Sequence, residues 1–292
     1  MSSIKLLIPV LILLFIACHP GKEKNDIKKL SLDISLSKKT YLLNEPIWLD
    51  VTLKNISDEN IRIYGLCPSC LNGSLSIDMV DSLGKEIRYS GYVYDMVPGK
   101  GWILEPQEEY YRCFNLLETN GFINYGLIGA MYLKYLPSGK YRMRAHSWRT
   151  YSQELSFEVM EPIGEEKATY DDYINAVITD QNNNDKISFE NENIVAYKED
   201  KLVSVYKRLK LFLEKYPNCQ YSEKVSWDID KSTFLEKFPN SGFNESNLRY
   251  LTDKMEDSEK INFLYQVIID YPNTRSCKFA EQMLRMMDKE EK

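Results

Sequence analysis

Polar and hydrophobic positions alternate through the first half of the chain and recur at helical spacing through the last third. Leu32, Ile34 and Leu36 alternate with polar residues, and Ile47, Leu49, Val51 and Leu53 alternate with Trp48, Asp50, Thr52 and Lys54. A period of two places successive side chains on opposite sides of a strand, so each strand is expected to have one buried and one wet face. Further strands are expected at Ile61 to Tyr64, Leu75 to Val80, Glu86 to Tyr89, Tyr110 to Phe114, Tyr141 to Ala145 and Glu154 to Val159. Turns separate them at Asn44-Glu45-Pro46, Asn55 to Asp58, Ser82-Leu83-Gly84 and Pro137-Ser138-Gly139. Proline fixes φ at such points, and Asn and Asp bond their own backbone. Short strands at turn-marked intervals predict an antiparallel β-sandwich over residues 30–160.

The pattern then changes. Pro162 and Gly164 end the strands, and residues 161–195 read as a junction. Within it, Thr169 to Asp172 would cap a short helix running to Ile178, with acidic groups at its positive end. From residue 196 onward the period is helical, with Val203, Tyr206, Leu209, Leu213 and Tyr216 on one stripe. Helices are expected to stop at three aromatic-Pro-Asn turns: Tyr216-Pro217-Asn218, Phe238-Pro239-Asn240 and Tyr271-Pro272-Asn273. Proline cannot continue the preceding helix, and the Asn, Ser or Thr that follows can cap the next one. The expected fold is therefore a β-sandwich followed by an all-α region at 196–292.

The amino terminus reads as a secretion signal. Lys5 is basic, Leu6 to Ile16 is almost wholly apolar, and Ala17 and Cys18 precede His19-Pro20-Gly21. The run is shorter than the ~20 apolar residues a spanning helix needs. Phe15-Ile16-Ala17-Cys18 resembles the lipobox of bacterial lipoproteins. That resemblance implies removal of residues 1–17, a diacylglyceryl group on Cys18 and usually acylation of the new amino group. Residues 18–29 would follow as a lysine-rich tether.

Two further resemblances concern the folded regions. Tyr41, Asn44-Glu45-Pro46-Ile47 and Val51 to Asn55 resemble the opening of bacterial immunoglobulin-like envelope domains, shared with a proteinase-inhibitor fold. Leu104 to Glu108 and Leu136 to Tyr141 resemble turns of the same domains, with Asn44 and Gln107 where the motifs carry Gly. An immunoglobulin-like sandwich is implied; inhibitor activity is not carried over. The Pro-Asn turns and their flanking helices resemble degenerate tetratricopeptide repeats of bacterial envelope proteins. The spacing from Pro217 to Pro239 is 22 residues and from Pro239 to Pro272 is 33. Only the second interval is near the ~34-residue repeat.

Composition narrows the chemistry. The net charge is -6, with Lys and Arg dispersed among Asp and Glu, which speaks against nucleic acid as a partner. No Walker loop, dinucleotide fingerprint or HExxH occurs. His146 is the one histidine within a domain and has no nucleophile elbow beside it. Cys67-Pro68-Ser69-Cys70 can be a structural disulfide, a metal or haem-type ligand pair or a redox pair, and Cys113 can compete for the same bridge. Cys219 and Cys277 are either a staple between helices or buried thiols. Asp180, Asn182 and Asn184 are spaced like calcium ligands, but Asp185 stands where the sharp-turn Gly belongs. Tyr92, Tyr94 and Trp102 lie in or beside a Gly-rich stretch and can either stack on a ligand or pack in a sheet.

The expectation is a non-catalytic lipoprotein of the cell envelope, anchored through Cys18, on the outer membrane, and binding or scaffolding an envelope protein partner. No cofactor is implied. Two alternatives remain at this point: capture of glycan or peptide through Tyr92, Tyr94 and Trp102, and a thiol-active protein using Cys67 and Cys70.

Overall fold

The computed structural model describes residues 29–63, 66, 75–87, 101–119, 136–147, 150–177 and 206–290. Strands come first. β1 (Leu30–Leu36), β3 (Trp48–Asn55) and β8 (Glu109–Asn115) form one antiparallel sheet with β3 in the middle. β2 (Thr40–Leu42), β11 (Leu155–Met160), β9 (Gly139–Ser147), β5 (Ser76–Asp81) and β6 (Glu86–Ile87) form a second, in that order. Its pairs are antiparallel except β2 with β11, which run parallel. β10 (Thr150–Tyr151) folds back on β9, and β4 (Ile61–Ile63) pairs with β7 (Trp102–Leu104). β2, β7 and β10 are strands of two or three residues that alternation does not reveal.

The alternation fixes which side faces the core. Leu49, Val51 and Leu53 are fully buried, in one cluster with Ile34 of β1, Met79 of β5, Met143 and Ala145 of β9, and Phe157 of β11. Each large apolar side chain among them contributes ~1.5–3 kcal/mol on burial. Polar bonds join the sheets at their rim: Gln153 Nε2 donates to the Ile34 carbonyl at 2.6 Å and Thr150 Oγ1 to that of Leu30 at 3.3 Å. Asn44 and Gln107 sit at φ 62° and 67°, a left-handed backbone that Gly adopts most easily. The motifs that these segments resemble carry Gly at those two places.

Helices follow. After the short α1 (Leu116–Thr119), α2 is Glu165–Val177, starting a turn earlier than Thr169 suggests. α3 covers residues 206–215. Phe212 and Leu209 face inward here, against Tyr173 and Val177 of α2, while Tyr206 stays exposed. The rest are α4 (Ser222–Ile229), α5 (Phe234–Lys237), α6 (Asn244–Thr252), α7 (Asp257–Asp270) and α8 (Arg275–Glu290). α5 and α7 are followed by Phe238 and Tyr271 as their C-caps, each just before a proline. Asn273 takes the left-handed conformation at φ 63°, and Thr274 Oγ1 accepts from Cys277 N to cap α8. The described structure is thus a sheet-rich region followed by helices.

Candidate functional site

The outward face of the β3–β8 sheet is not wet at its Trp48 end, contrary to the expectation from alternation. Cross-strand register sets Asp50 opposite Cys113 and Thr52 opposite Tyr111. Phe243, Leu248, Phe279 and Ala280 from the helices cover this face and bury Trp48, Tyr111 and Cys113 in a second hydrophobic cluster. The Trp48 ring meets Phe243 edge-on at 4.7 Å, and Tyr111 tilts against Phe279 at 5.3 Å. Gly242 makes room for the Trp48 ring: a Cβ there would lie 2.2 Å from Cε3.

An ion pair sits at the centre of this joint. Arg275 Nε and Nη2 donate to the two Asp50 oxygens at 2.7 and 2.6 Å, and Nη1 donates to the Asn240 carbonyl at 2.5 Å. Tyr111 OH donates to the same carboxylate. Burial pushes the Asp50 carboxyl up, but the hydrogen bonds and charge of Arg275 outweigh it and hold the carboxyl below the usual range. Burial also raises Tyr111 and Cys113, so both stay neutral. Other polar ties cross the joint. Tyr221 OH donates to the Leu43 carbonyl at 3.1 Å, Tyr111 N to Gln282 at 2.8 Å and Arg112 to Glu245 at 2.7 Å. The second and third Pro-Asn turns come together here as well, since Ser276 N and Oγ, just past the Pro272 turn, both donate to the Pro239 carbonyl.

Beside the ion pair the joint leaves a cleft of about 350 Å³. Trp48, Pro46 and Phe238 supply apolar walls, and Glu45, Glu223 and Lys237 supply charge. Glu45 is buried, accepts Leu42 N at 2.9 Å and pairs with Lys38. Glu223 is partly buried at the start of α4. It accepts Trp48 Nε1–H at 2.9 Å and a hydrogen bond from the Ser241 hydroxyl, which itself accepts Phe243 N. Burial pushes the Glu223 carboxyl above the usual range; those bonds and Arg275 counter it only in part. Among the described residues no Lys or Arg forms an ion pair with Glu223, and Lys237 is exposed without an ion pair. The arrangement can hold a small ligand that brings its own charges. Its volume is at the lower end of the ~300–1,000 Å³ of ligand sites.

The sequence-derived candidates do not converge on this cleft. Cys18, Cys67, Cys70, Tyr92, Tyr94, Asp180, Asn182 and Asn184 lie outside the described residues. Cys113 carries a free thiol buried against the helices, so the bridge considered for it is not formed. Cys219 and Cys277 are free too, and do not staple two helices. Trp102 tilts against Tyr110 at 6.2 Å, with Lys289 Nζ 5.2 Å from its ring centre. Among the described residues, no helix is long and apolar enough to cross a membrane. Trp48, Glu223 and Arg275 were missed as site residues. The available signal was a Trp on the polar side of β3, opposite a strand whose polar side carries Tyr111 and Cys113.

No protein-family model matches the chain, and no curated protein sequence matches it. Solved structures similar to it include a mutant β-glucosidase from Listeria innocua in complex with laminaribiose, at 21% identity and a TM-score of 0.27. That match covers 45% of this chain and 16% of the β-glucosidase, so the chain spans only a small part of that enzyme. The CARDB domain of a Pyrococcus furiosus protein is similar at 14% identity and a TM-score of 0.24, over 45% of this chain and 94% of the domain. A DNA glycosylase from Pseudomonas fluorescens is similar at 13% identity and a TM-score of 0.25, over 45% and 30%. The expectation that the chain is not an enzyme is withdrawn, because β-glucosidases are among these structures. At such scores the likeness carries no glycosidase chemistry to this chain.

Proposed function

We propose that the protein is a lipid-anchored envelope protein that captures a partner in the cleft between its sheets and its helices. Cys18 carries the anchor, and the segment after it is the tether that sets the body off the membrane. The two larger sheets close as an immunoglobulin-like sandwich, and the helices act as a degenerate tetratricopeptide-like module laid against it. The observation that carries the reading is the cleft itself: a concave site at the joint, with a charged group left unpaired on its wall. The shared core of the two sheets supports the sandwich, and the repeated Pro-Asn helix stops support the module.

A photo-crosslinking residue placed at Lys237 in intact cells tests this. A discrete protein adduct at 237, absent from the same probe at exposed Leu83, is the expected result. Palmitate-analogue labelling of the wild type, lost in Cys18→Ser together with membrane retention, is expected alongside it. No acyl mass on Cys18, or identical adducts at 237 and 83, would contradict the reading.

A further inference from the structure

We propose that the cleft recognises a small zwitterion, with a primary ammonium group held by Glu223 and a carboxylate held at Lys237, as a free amino acid or a short peptide carries them. The inference rests on the cleft being the capture site and names the chemistry of what it captures.

Three observations carry it. Glu223 lines the cleft with two hydrogen-bond donors, Trp48 Nε1 and Ser241 Oγ, and no cation of its own. The nearest candidate, Arg275, is already spent: both its nitrogens on that side are bidentate on Asp50, and the third holds the Asn240 carbonyl. A carboxylate withdrawn from water without a counter-ion is costly, and an incoming ammonium would supply one. Second, the walls beside Glu223 are Trp48 and Phe238, which give the carbon skeleton of a small ligand an apolar surface to pack on. Third, the remaining charges exclude a bare polycation. Lys38 is neutralised by Glu45 and Arg275 by Asp50, which leaves Lys237 as an unpaired positive charge on the rim. One unpaired negative group and one unpaired positive group on one small cleft match a ligand with both charges. The volume, about 350 Å³, admits an amino acid, a dipeptide or one or two residues at the end of a partner's chain.

Calorimetry on the full mature chain in detergent, with Leu-Ala as the probe, tests this against N-acetyl-Leu-Ala and Leu-Ala amide. Leu-Ala is expected to bind. Acetylation removes the ammonium and is expected to weaken binding by about tenfold or more, as loss of a charged hydrogen bond does. Glu223→Gln should weaken Leu-Ala to the level of the acetylated peptide and leave the acetylated peptide unchanged. Lys237→Gln should weaken Leu-Ala and leave the amide unchanged. Equal binding of free and acetylated peptide, or no binding of Leu-Ala, overturns the inference, and these wild-type measurements stand even if a variant misfolds. A free amino acid source is distinguished from a peptide by running leucine alone. Loss of peptide binding with the 237 adduct retained defeats the zwitterion and spares the capture reading. Peptide binding without an adduct defeats the capture of a protein partner instead.

Discussion

Replacing Arg275 by Met removes the cation that the joint is built around. The pair is well buried, with side-chain exposures of 11% for Arg275 and 16% for Asp50. Its partner is not left wholly bare, because Tyr111 OH still donates to Asp50. Removing one member of a buried pair costs ~3–5 kcal/mol, so Arg275→Met should fall near the lower end, about 3 kcal/mol. That is a large share of a typical total of ~5–15 kcal/mol. Urea unfolding at neutral pH, followed by tryptophan fluorescence, measures it. The double substitution Asp50→Asn with Arg275→Met removes both charges and should cost at least ~1 kcal/mol less than the two single effects added. Acid gives the sign. The folded Asp50 carboxyl is depressed, so the pair contributes fully above the ordinary carboxylate value and is lost as pH falls through the folded one. The gap between wild type and Arg275→Met should hold near neutrality and close in acid. A cost under ~1 kcal/mol, or strict additivity, would refute the reasoning.

Three further outcomes are expected. Gly242→Ala drives a methyl into the Trp48 ring, which is held by Glu223 and Phe243, and should cost ~1–3 kcal/mol in thermal unfolding with a shift in tryptophan emission. Glu223→Gln keeps an acceptor for Trp48 while removing a charge whose folded pKa is raised. Wild type therefore loses stability as pH rises through that folded value and the variant does not, so their difference, read by denaturant titration, should move in the variant's favour from acid to neutral pH. Gln107→Gly relieves a left-handed backbone whose N–H still donates to the Asn55 carbonyl; it should be neutral or stabilising by up to ~1 kcal/mol, whereas Gly84→Val, at φ 79°, should destabilise.

What the sequence disclosed divides along a physical line. Alternation in β3 identified the inward face residue by residue, because burial on one side imposes a period of two whatever lies beyond. It could not reveal that the other face is covered. Trp48 and Asp50 occupy positions that read as solvent-facing, and the groups that bury them come from Glu223, Phe243 and Arg275, far along the chain. A contact between residues 50 and 275 leaves no local period. The turns were legible for the opposite reason. Asn44, Gln107 and Asn273 are residues that tolerate or replace Gly in a left-handed conformation, and the prolines mark helix ends through their own covalent geometry. The cleft was illegible because it is a gap between elements, defined by where the helices dock and not by any motif.

Sheets and helices form one body through that joint. Expressing the chain as two pieces, residues 19–190 bearing an affinity tag and residues 191–292 without one, tests it directly. The untagged piece should co-purify with the tagged one, and Arg275→Met should weaken its retention. Recovery of two soluble, folded pieces that pass the column independently would contradict the joint, and with it the cleft.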